Sequence, residues 1–197
     1  MSQQVLNLTC PSCGAPASTT DKNCVYCERE IVISSFSSVS KMLPSEVTKY
    51  ANVYKKTLAQ SPRDGELNNS LAMCYLKLRL YDKASISFDT AIEANVDNSE
   101  TYFYAAICLL KGQKAFLSLR PIIDRIEEYI NAAIMIEPKA IYYYFQAYIK
   151  YDYYSRKFFN TSPTYQEAYQ QAIDAGLSDC DIEQIYSVMG VARPECL

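Results

Sequence analysis

The spacing of apolar residues changes character along this chain. In the first thirty-odd positions they are sparse. Short stretches such as "QVLNLT" and "REIVISSF" read as strands, the second with clear alternation. Beyond residue 45 they recur every three or four positions in long segments, which predicts helices. "SEVTKYANVYKKTLAQSPRD" (45–64) reads as a helix closed by Pro62. Residues 99–112 read as another. The partner over 120–138 carries Ile123, Ile126, Ile130 and Ala133 on one face, with Pro138 ending it. A further pair is expected over 139–154 and 163–177, and a last helix over 179–190 that shields an open end. Between the two regimes, residues 35–44 are rich in serine and contain Pro44, the composition of a flexible joint. The organisation expected is therefore 1–34, a linker at 35–44, and a helical domain at 45–197.

One stretch of the helical part shows a repeat. The 34 residues from Gly65 to Asn98 carry Leu71, Ala72, Tyr75, Tyr81, Ala84, Phe88 and Ala91. This alternation of large and small residues resembles the tetratricopeptide repeat. In that resemblance Ala72, Ala84 and Ala91 lie where two antiparallel helices approach closely, and the larger residues fill the space between. Asn68 replaces the usual tryptophan and Arg79 the usual turn glycine. The fold class expected is mainly α, a tetratricopeptide-like solenoid of antiparallel helix pairs, with a small N-terminal β module.

That module is marked by its cysteines. Cys10 and Cys13 form one Cys-x-x-Cys pair, Cys24 and Cys27 a second. Two intervening residues let both sulfurs of a pair face one ion, and two pairs close a tetrahedron. Pro11 and Gly14 suit the first tight turn. Four thiolates leave no corner for water, so a structural ion is expected rather than a catalytic one. Zinc is the expected cofactor; an iron site has the same spacing. Two disulfides would need an oxidising compartment. The "CPSCG" opening resembles the zinc-ribbon family, although "CVYCE" lacks the family's glycine after the last cysteine. Cys74 and Cys108 sit within apolar helical patterns and read as small buried hydrophobes.

Composition narrows the chemistry. Among 197 residues there is no histidine, and glycines number five. The first absence removes His-dependent nucleophile systems and metalloprotease motifs. The scarcity and placement of glycine leave no phosphate-cradling loop. No enzyme activity is expected. The net charge of −3 gives no footprint for a polyanion. Lys22 and Arg29 in the cysteine module are offset by Asp21, Glu28 and Glu30, so nucleic acid is disfavoured. No apolar run approaches the ~20 residues of a membrane span, and no secretory pattern opens the sequence, so no membrane association and a cytoplasmic location are expected.

The tetratricopeptide resemblance implies a groove, lined by the first helix of each pair, that takes a protein or peptide. Carried onto this chain, the lining is Asn69, Met73 and Lys77, then Phe103, Ile107 and Lys111, then Tyr142, Phe145, Ile149 and Tyr153. Such a surface favours an apolar or amphipathic segment over a C-terminal carboxylate. The expected function is a non-enzymatic protein–protein interaction adaptor. A nucleic-acid-associated zinc-ribbon factor is the alternative.

Overall fold

A computed structural model describes residues 5–197. The chain divides into two compact units, Met1–Val96 and Asp97–Leu197.

The first unit opens with a two-stranded antiparallel sheet. β1 (Asn7–Thr9) pairs with β2 (Pro16–Ser18), Leu8 lying opposite Ala17. β1 lies within the stretch read as a strand. The stretch after the second cysteine pair makes only one isolated bridge, Asn23 to Glu30. Its alternation is nonetheless meaningful, since Ile31 and Ile33 point into the core. Three helices follow: α1 (Phe36–Ser40), α2 (Pro44–Leu58) and α3 (Gly65–Lys77), with α4 (Tyr81–Ala94) completing the unit. Pro44 stands in the first turn of α2, where its missing N–H costs nothing. The Asp64 carboxylate caps α3 by accepting from the Leu67 amide at 2.9 Å. α3 packs on both α2 and α4, and from Leu67 to Cys74 every residue is buried. A helix buried all round needs neighbours on several sides. Gly65 fits this closeness: a Cβ there would stand 2.8 Å from that of Ala94.

The serine-rich segment 35–44 holds α1 rather than extended chain, and Phe36 and Val39 are both buried. The Lys77 ammonium donates to the Ser40 carbonyl at 2.6 Å. Two apolar residues spaced by three among serines are enough to seat this turn on α3.

The second unit contains α5 (Ser99–Leu109), α6 (Arg120–Ile136), α7 (Ala140–Ile149), α8 (Tyr165–Asp174) and α9 (Asp179–Met189). α5 packs with α6, and α7 with α8. A wider π turn over Lys150–Tyr154 extends α7 and buries Asp152, Tyr153 and Tyr154. Capping boxes start α8 (Thr164 with Glu167) and α9 (Ser178 with Asp181). Instead of standing only at an open end, α9 folds onto α7 and α5. The Gln184 amide donates to the Tyr104 hydroxyl at 2.9 Å, and the hydroxyls of Tyr144 and Tyr186 meet at 3.2 Å.

Candidate metal centre and partner surfaces

The two cysteine turns are built alike. In the first, the Cys10 amide donates to the Ala15 carbonyl and the Gly14 amide to the Cys10 carbonyl, at 2.7 and 2.9 Å. In the second, Cys24 donates to Arg29 and Glu28 to Cys24, at 2.9 and 2.8 Å. The residue after each pair is left-handed: Gly14 has φ +79° and Glu28 φ +59°. Glu28 thus keeps the backbone of the glycine it replaces, at a steric cost.

These turns bring all four sulfurs within 4.8 Å of one another. The Cys10–Cys27 and Cys13–Cys24 separations are both 3.6 Å. A disulfide would need about 2.05 Å. A zinc ion with Zn–S near 2.3 Å sets its sulfurs about 3.8 Å apart, so the donor set fits a tetrahedral thiophilic ion. Electrostatics agree. The amides of Tyr26 and Cys27 draw the Cys24 thiol down to about 7. At Cys13 the Ala15 amide acts in the same sense, but desolvation and the three neighbouring sulfurs push it up to about 12. Four such groups cannot all ionise without a cation among them.

The module is tied into the helices beside it. The Tyr54 hydroxyl donates to the Ile31 carbonyl at 2.7 Å and accepts from the Ile33 amide at 3.2 Å. Tyr50 donates to the Glu30 carbonyl at 3.0 Å, and Ser70 to that of Ile33 at 2.7 Å. Arg29 pairs with Glu46 at 2.7 Å. Phenols and a serine from α2 and α3 thus do for residues 30–33 what a strand partner would do. Nothing in a single sequence marks Tyr50, Tyr54 and Ser70 for this role, because the contacts join positions 20 to 37 residues apart.

The expected groove residues lie elsewhere than on an open face. In the first unit Asn69 and Met73 are buried and Lys77 is half-buried. In the second, Phe103, Ile107, Tyr142, Phe145, Ile149 and Tyr153 are all buried, and only Lys111 is exposed. Phe103 packs against Tyr142 and Phe145 with ring centroids 4.8 and 5.8 Å apart, so these rings fill the space between α5 and α7. The physical reason is that α5 and α7 are covered on several sides, α9 among the covers. The 3.6-residue period shows which residues are apolar but not how many faces of a helix have neighbours.

Among the remaining cysteines, burial pushes Cys74 up to about 12, leaving an inert thiol. Cys108 is buried too, while Cys180 and Cys196 are exposed. A cleft of about 290 Å³ in the second unit is lined by Lys114, Asp152, Arg156, Arg193 and Glu195, with Tyr148 and Tyr151. Its charges largely answer one another: Arg156 donates to buried Asp152, which also accepts from the Phe116 amide. Compared with protein-family models and with curated proteins, the sequence matches none.

Proposed function

We propose that this protein is a non-enzymatic protein–protein interaction adaptor, in which a zinc ribbon is docked on tetratricopeptide-like helix pairs. The observation that carries the reading is the four-sulfur cluster: its sulfurs lie within 4.8 Å of one another, and four thiolates on one ion would leave no corner for water, the arrangement of a structural site. Cys10, Cys13, Cys24 and Cys27 would hold that zinc. The Gly65–Asn98 unit supports the repeat reading, since its first helix is buried without a break from Leu67 to Cys74 and its second leaves Ile86 on an outer face. With Phe103, Tyr142 and Phe145 enclosed, each unit offers a partner the outward side of its own second helix: Ile86 stands exposed on α4 in the first unit, and Met135 on α6 in the second.

The test is affinity capture with cross-linking from the native host, followed by rebinding of each purified candidate to the full chain. The expected result is at least one protein that binds directly and saturably, and more weakly to Ile86→Glu or Met135→Glu. Direct binding of RNA or DNA alone, with a steep salt dependence, would replace the adaptor by the nucleic-acid reading.

A further inference from the structure

Two connections in the second unit are longer than a tight repeat turn needs, and they meet. Residues 110–119 join α5 to α6, and residues 155–164 lead from the π turn to α8. Phe116 links them: the Arg156 guanidinium lies 4.5 Å and the Lys157 ammonium 5.0 Å from its ring centre. The Phe116 amide donates to Asp152 at 2.8 Å. Arg120 in turn lies 5.3 Å from the ring of Tyr154. The two loops form one surface.

That surface combines exposed apolar side chains with an excess of cations. Phe158 is 95% exposed, Leu119 74%, Leu117 66% and Phe159 51%. The loops contain Lys111, Lys114, Arg156 and Lys157, and Arg120 opens α6 beside them; against these five cations stand Asp124 and Asp152, in a chain whose net charge is −3. Arg120 and Arg156 are paired with Asp124 and Asp152, while Lys157 rests 3.8 Å from the ring centre of Tyr153.

Phe158 is placed at a cost. It has φ +59° and closes a helix end in which the Phe159 amide donates to Tyr154 and that of Phe158 to Ser155. The same bonding closes α8, where the left-handed residue is Gly176. A phenylalanine in that conformation, with its ring almost wholly in water, returns nothing to the fold.

We propose that these two loops dock the protein on anionic lipid bilayers, with Phe158, Phe159, Leu117 and Leu119 entering the headgroup region while Lys114 and Lys157 meet lipid phosphates and carboxylates. Charge complementarity selects an anionic surface. The shape favours lipid over a polypeptide or a nucleic acid. Protruding side chains on two loops need a medium that conforms to them, and Leu117 and Leu119 have no ring to stack on bases. Lys157 holds its ammonium over the faces of Tyr153 and Phe116, so a cation stands among the apolar side chains of this surface.

The experiment is co-sedimentation of the full chain with vesicles of phosphatidylcholine containing roughly one-third phosphatidylserine, against phosphatidylcholine alone. The anionic vesicles should capture it, and the neutral ones should not. Phe158→Ser with Phe159→Ser should weaken capture at least about tenfold. Lys114→Gln and Lys157→Gln should each weaken it about fivefold. Each variant's thermal unfolding should match the parent's, since the changed side chains contribute little to the core. The chain has no tryptophan, so Phe158→Trp is a clean reporter whose emission should shift to the blue on anionic vesicles. Failure of the parent to sediment, sedimentation unchanged by the double Phe variant, or an unshifted indole emission from Phe158→Trp would each overturn the proposal.

Discussion

The two units solve the same problem, the enclosure of a central helix, with different means. In the first, α3 is enclosed partly by a small module whose β content is six residues in two strands. That module has few apolar side chains, and its backbone is satisfied by Tyr50, Tyr54 and Ser70 from the helices. In the second, α5 and α7 are enclosed by other helices and cemented by rings: Phe103 on Tyr142 and Phe145, Tyr148 and Tyr144 on Tyr186. The lesson concerns what each can lose. A unit held through a cluster of four cysteines and a few buried polar contacts fails when one partner is removed, because orphaned polar groups are costly. A unit held by interleaved rings fails in proportion to the volume removed.

The largest break in this comparison should come from the metal. Structural zinc supplies roughly 10–16 kcal/mol of apparent binding free energy in small modules. A strong chelator, or Cys24→Ser, should therefore unfold residues 5–33 and loosen α1, α2 and the facing side of α3. Hydrogen exchange should rise there and stay unchanged over 97–197. Uniform protection before and after chelation would show that the module's ties to α2 and α3 hold without an ion.

Next in size, Phe103→Ala should destabilise the second unit by about 3–5 kcal/mol, the cost of a cavity among packed rings. Its readout is the thermal unfolding of that unit followed by far-UV circular dichroism. Intact melting with a specific loss of partner capture would restore the ring to a binding role.

Tyr54→Phe sharpens the contrast more finely. It leaves ring packing in place but removes the hydroxyl shared by the Ile31 carbonyl and the Ile33 amide, both in the first unit. The expected loss is about 1–3 kcal/mol, seen as faster amide exchange at 31–34. The matching change in the second unit, Tyr186→Phe, removes a hydroxyl that faces another hydroxyl and should cost less.

The smallest effects are gains. Glu28→Gly and Arg79→Gly each relieve a left-handed residue, and each should add up to ~1 kcal/mol. Urea titration with unchanged slope would show it. Arg79 ends α3 as glycine usually would: the Leu80 amide donates to Tyr75 and that of Arg79 to Leu76.

Much of this was legible in the residues. Local rules act over a few positions, so the helices fall within a few residues of their expected bounds; α6, expected over 120–138, spans Arg120–Ile136. The four converging cysteines are found for the same reason, since a Cys-x-x-Cys turn is a local shape. The two places where glycine was expected and is missing, at 28 and 79, still adopt glycine's backbone, because hydrogen bonding around the turn fixes the conformation before the side chain has its say.

The sequence by itself determined which segments beyond residue 44 are helical and which sulfurs converge. Only the tertiary structure decided which faces are covered. An apolar stripe looks the same whether one neighbour or three will pack on it, so Phe103 and Phe145 read as groove lining until α5 and α7 are seen enclosed. The serine-rich segment reads as a joint until Phe36 and Val39 are seen buried. Burial is a sum over neighbours distant in sequence, and no local pattern contains that sum.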